Sequence, residues 1–179
     1  MVLRIWALVV STWAVIVATG GLYTWRRQLF GQVKFDHARR LALAAYKVRD
    51  EILYSRIAVS ETNSSEILST ISKAFSAFNV EILEAEVVFG KPVTELRKPL
   101  WLCFSEFGRN VHRMLRLAER MRHDTNFADE YYKVETAVVG NDDDEFAQAL
   151  FGAVAKVEDF LRPWLPARRH RPKNAASNS

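Results

Sequence analysis

Ile5–Trp25, IWALVVSTWAVIVATGGLYTW, runs twenty-one residues without a charge, between Arg4 and the pair Arg26-Arg27. A helix rises about 1.5 Å per residue and a bilayer core is about 30 Å thick, so this length predicts a transmembrane anchor. Trp6 stands at one end and Tyr23 and Trp25 at the other, where amphipathic rings favour the headgroup level. Arg26, Arg27, Lys34, Arg39 and Arg40 follow the run closely, whereas Arg4 is the only basic side chain before it. Lys/Arg-rich flanks stay inside, so the expectation is a single-pass protein of the inner or plasma membrane. Residues 1–4 would lie outside the cytoplasm and the C-terminal domain within it. A cleaved signal peptide competes, with Ala18-Thr19-Gly20 as its small-residue site, but the apolar run is long for one and continues past that site. Ala7, Ser11, Ala14, Ala18 and Gly21 recur at 4-3-4-3 spacing. Such a small-residue face lets two helices approach closely in lipid, which points to a homodimer or a partner helix; the plain alternative is that Ala and Gly are common in membrane helices.

Beyond the run the apolar residues keep helical steps of three and four, and no stretch sustains the alternation of a strand. The expected fold is all-α: the N-terminal transmembrane helix, then an antiparallel bundle of four to five helices. Gly31 predicts a basic juxtamembrane joint over 26–34, and the bundle occupies 35–163. Its first helix carries Phe35, Ala38, Leu41, Ala45, Val48 and Ile52 inward. Asn63 or Ser64 caps the second, whose face is Ile67, Ile71, Ala74, Phe78, Ile82, Ala85 and Phe89, widened by Leu68, Phe75 and Val87. Gly90 ends it. Pro92 opens the third, whose apolar face runs from Val93 to Met121 and in which Pro99 predicts a kink or a split-off first turn and a half. The short connection predicts that the second and third helices form a long antiparallel hairpin. Phe127–Val139 reads as a short helix with Tyr131, Tyr132 and Val138 inward. Asn141 or Asp142 then caps a last helix bearing Phe146, Leu150, Val154, Val157, Phe160 and Leu161. Residues 164–179 are basic and proline-rich, and disorder is expected there.

The net charge is +4, but basic and acidic blocks alternate along the chain. Blocks of that kind suit neighbouring helices that neutralise one another, so the basic balance does not point to nucleic acid. Cys103 is the only cysteine, which excludes an intrachain disulfide, and no Cys/His cluster has zinc spacing. On the predicted apolar face its thiol acts as a small hydrophobe.

Arg109, Arg113, Arg116 and Arg120 step 4-3-4 along one face of the third bundle helix. Guanidiniums so aligned grip carboxylates or phosphates, the candidate partners being another protein or anionic lipid headgroups. The plain alternative is a solvated helix face. Nucleic acid is least favoured, because no recognition motif accompanies the stripe. Trp164, Arg168, Arg169, Arg171 and Lys173 join an aromatic to a basic cluster, a combination that suits a membrane surface. Asp142–Glu145 lack the alternate-oxygen spacing of a calcium loop and read as helix capping. His112 with His123-Asp124 resembles the His and His-Asp steps of all-helical phosphohydrolases of the HD type. That resemblance implies a metal-dependent hydrolase as the enzymatic alternative. No cofactor is expected. The reading that fits most of the chain is a membrane-tethered, cytoplasm-facing interaction or scaffold module without catalytic activity. An exported, envelope-anchored domain is the remaining variant.

Overall fold

The computed structural model describes residues 2–60, 63–140 and 144–165, except for the side chains of residues 2–12, 14–16 and 125. Five α-helices occupy the described residues: α1 (Val2–Ala58), α2 (Ser64–Phe89), α3 (Arg97–Met121), α4 (Ala128–Val139) and α5 (Glu145–Leu161). Short 3-10 segments lie at Lys91–Leu96, Thr125–Phe127 and Arg162–Trp164. No strand occurs among the described residues.

α1 runs unbroken through the expected joint at 26–34. A lone interior glycine costs a helix only about 1 kcal/mol. Gly31 has neither a proline nor a capping residue beside it to convert that cost into a break. Among the described residues no helix is long and apolar enough to cross a membrane. That finding overturns the transmembrane helix, and with it the single-pass, N-terminus-out location in the inner or plasma membrane. The physical reason lies in the described part of the run. Thr19, Gly20, Gly21 and Thr24 dilute it, and Arg26, Arg27 and Lys34 follow within the same helix. At 100° per residue, Leu22, Trp25, Leu29 and Val33 fall within about 80° of one side, and Thr24, Arg27, Gln28 and Gly31 on the other. This is an amphipathic segment rather than one apolar all round. The side chains of residues 5–12 and 14–16 lie outside the described residues.

The bundle begins where α2 meets α1. Ala38, Leu41, Ala42, Ala45, Val48 and Ile52 of α1 are buried against the face of α2 formed by Ile71, Ala74, Phe78, Ile82 and Ala85. Alanines at several of these positions let the helix axes come close. Arg40 bridges the same pair, 2.8 Å from Glu84 and 3.6 Å from Glu81. The turn between them is held by Asn63, whose Oδ1 accepts from the Ser60 amide (2.7 Å) while Nδ2 donates to the Ala58 carbonyl (2.7 Å). Asn63 is therefore the N-cap residue by position, but its side chain serves the turn before α2 rather than the first amides of α2.

Gly90 ends α2 at φ 79°, a left-handed value that glycine adopts without strain, and its N–H donates to the Glu86 carbonyl (2.8 Å). Pro92 then opens a 3-10 segment, Lys91–Leu96, and Pro99 sits in the first turn of α3, where the missing N–H costs nothing. The expected split at the start of the third helix is this segment. It buries Val93 and Leu96 and packs on α2 and α5. α3 consequently packs most extensively on α4, and the principal hairpin is α1–α2 rather than α2–α3. Leu100, Cys103, Phe107, Val111, Met114 and Leu117 face inward, as do Leu150, Val154, Val157 and Leu161 of α5.

Three residues depart from the expected faces. Val87 is 89% exposed and Tyr132 58% exposed, each lying outside the buried arc of its helix. Trp164 packs at the rim of the core, its ring centroid 4.6 Å from Phe89 and 5.6 Å from Phe160. The folded unit thus extends to Leu165, past the expected boundary at 163.

Phe78, fully buried between α1 and α2, sets the scale of this core. Phe78→Ala is expected to destabilise the fold by about 3–5 kcal/mol. Val87→Ala, on the exposed side of the same helix, should shift it by under about 0.5 kcal/mol. Urea titration followed by circular dichroism measures both.

Candidate functional site

Two polar centres stand out once the bundle is built. The first lies inside it. Arg56 falls in phase with Val48 and Ile52 on the inner face of α1 and is only 2% exposed. Its Nε donates to the Val138 carbonyl (3.1 Å), an acceptor left open at the C-terminal end of α4. Nη1 donates to Asp144 Oδ1 (3.0 Å), and Nη2 pairs with Asp144 Oδ2. The guanidinium carbon lies 4.9 Å from the centroid of the Phe146 ring. Asp144 is the N-cap of α5, and its Oδ1 also accepts from the Ala147 amide (2.8 Å). One guanidinium therefore ties together the last turn of α1, the end of α4 and the start of α5.

Gly140 makes room for this contact. A Cβ there would overlap both the Asp144 carboxylate and the Arg56 guanidinium. The hydrogen bonds from Arg56, ahead of the amides of Ala147 and Phe146, hold the Asp144 carboxyl below its ordinary value of 3.8. The expected caps Asn141 and Asp142 lie outside the described residues, and Asp144 fills the role. The expectation from sequence missed Arg56. The available signal was a charged residue at the i+4 step of an apolar series.

The second centre is the outer face of α3. Arg109, Arg113, Arg116 and Arg120 are all exposed there. Arg109 Nη1 donates to Ser105 Oγ (2.9 Å), Arg113 Nη2 pairs with Glu130 Oε1 of α4 (2.6 Å), and Arg120 lies 5.6 Å from the Phe127 ring centroid. Arg116 has no ion-pair partner among the described residues. It lines a shallow groove with Arg109, Asn110, His112, Arg113 and Leu115. Leu102, 55% exposed, and Lys98 continue the face toward the start of α3.

The other expected sites do not gather around either centre. His112, His123 and Asp124 are exposed, and no group of three or more His, Cys, Asp or Glu could hold a metal among the described residues. Cys103 is buried; burial first and Glu106 second push its thiol up, away from the reactive thiolate. Trp164 belongs to the core rim, while Arg168, Arg169, Arg171 and Lys173 lie outside the described residues. Of the small-residue face, Ala18 and Gly21 are exposed, and the side chains of Ala7, Ser11 and Ala14 lie outside the described residues. No family model, curated protein or solved structure matches the chain.

Asp144→Ala leaves the Arg56 charge buried and unpaired, an expected loss of about 3–5 kcal/mol at neutral pH. Arg56→Met removes the buried charge itself and leaves a carboxylate whose side chain is 32% exposed, within reach of water. It should therefore cost less than Asp144→Ala. Because the Asp144 carboxyl is depressed in the fold, its contribution is present above 3.8 and fades as pH falls through the folded value. Denaturant titrations from pH 7 down to pH 3 should show that loss in the wild type and a flatter profile in Asp144→Ala.

Proposed function

We propose that the chain is a non-catalytic helical interaction module whose α3 arginine face docks an acidic segment of a partner protein. The observation that carries this reading is the alignment of four exposed guanidiniums with the exposed Leu102 on one helix face. Exposed ion pairs contribute only about 0.2–1 kcal/mol each, so four of them give modest affinity by themselves. An apolar anchor at one end adds affinity that salt does not screen, and the guanidiniums fix orientation and speed encounter. An acidic amphipathic helix with one large apolar residue beyond its carboxylates matches this pattern. Arg116, without an ion-pair partner among the described residues, is the position where a partner carboxylate displaces no described contact. Arg113 would exchange Glu130 for it.

The test uses the full chain and a fluorescent Glu-rich helical peptide carrying one terminal leucine, measured by anisotropy. Binding should weaken as salt rises. Arg109→Glu with Arg116→Glu should lower affinity at least tenfold while the helical circular dichroism stays unchanged. Equal binding by wild type and variant would overturn the reading, as would binding to anionic phospholipid vesicles with none to the peptide.

A further inference from the structure

The geometry points to a second interaction surface, independent of the arginine face, on which α1 pairs antiparallel with α1 of a second copy of this chain. Leu22, Trp25, Leu29 and Val33 are 66%, 60%, 41% and 43% exposed and share one side of α1. They lie on the approach to the bundle, before Ala38, the first buried residue among the described side chains of α1. The Trp164 segment leaves this side open: it forms a shallow groove with Tyr23, Arg26, Arg27, Phe30, Gly31 and Lys34. Over residues 22–33 these four large apolar side chains form a contiguous stripe beside Thr24, Arg27 and Gln28, which is a contact surface rather than scattered exposure.

Charge selects the occupant and its direction. Arg26 flanks the stripe on one side of Leu29, with its guanidinium 5.6 Å from the Phe30 ring centroid. Asp36 flanks it on the other side of Val33, exposed and without an ion-pair partner among the described residues. Set two α1 helices antiparallel with Leu29 opposite Val33 of the second copy. The same register then places Arg26 opposite Asp36 of the second copy, twice by symmetry. A parallel pair would set Arg26 beside Arg26 and Asp36 beside Asp36, and like charges at that distance oppose association. In this register Leu29 and Val33 pair at the centre, Trp25 lies opposite His37 and Leu22 opposite Arg40 of the second copy, and only the antiparallel orientation matches Arg26 with Asp36.

Cys103, the only cysteine and a buried one, leaves the chain nearly silent to thiol reagents, so an introduced cysteine reports position. In full-length Leu29→Cys, a short bismaleimide should join two copies. In Gln28→Cys, turned about 100° around the helix from Leu29, it should not. Within the Leu29→Cys background, Arg26→Asp alone or Asp36→Arg alone should lower cross-linking at least tenfold, and the two together should restore it. Absence of cross-linking at Leu29→Cys, equal cross-linking at Gln28→Cys, or indifference to the charge reversals would each overturn the proposal.

Discussion

The contact between Arg56 and Asp144 joins elements 88 residues apart and fixes three helix ends at once. Closing a flexible loop of that length costs about 4 kcal/mol plus a constant. A buried ion pair contributes less than that once desolvation is counted, so the pair cannot form ahead of the bundle. It depends on the α1–α2 hairpin to hold Arg56 in place and on α5 to orient Asp144. Once those are present it is strongly specific. The fork of the guanidinium matches one carboxylate and one carbonyl, the Phe146 ring covers its face, and Gly140 alone leaves the space. A lysine there would bring a point charge without the planar fork.

How much of this was legible beforehand follows from the kind of signal each feature leaves. Helical periodicity is local, and the inward faces of α2, α3 and α5 were readable from it almost residue by residue. Gly90 and Pro92 marked a helix end and a restart because each restricts or frees the backbone on its own. Helix pairing is not local. The short connection between α2 and α3 suggested a hairpin, but the six residues of Lys91–Leu96 pack as an element of their own and hand α3 over to α4. The buried pair was hidden for a related reason. Arg56 and Asp144 each look like ordinary surface charges until the tertiary packing brings them together. The long apolar run misled in the other direction, since its length and flanks invited a bilayer where no helix among the described residues is long and apolar enough to cross one.

The arginine face was also readable from spacing, but its internal use was not. Arg113 and Arg120 lean on α4 and on the turn before it, so the stripe is partly a seam of the bundle and partly open. The open portion centres on Arg116 and on Leu102 toward the start of α3. What a helix face offers a partner is what its own neighbours leave over, and periodicity alone does not separate the two.

The unbroken course of α1 carries a mechanical consequence. Its 57 residues span about 85 Å at the helical rise, and among the described side chains the buried ones begin at Ala38. Such a helix is a shaft with one end seated in a bearing. A rotation or tilt imposed on the bundle is carried along it to Leu22 and beyond, and a load on the far end returns as torque on the Arg56 seat. No hinge along the way absorbs the motion, so what the two ends engage is mechanically linked by a single element.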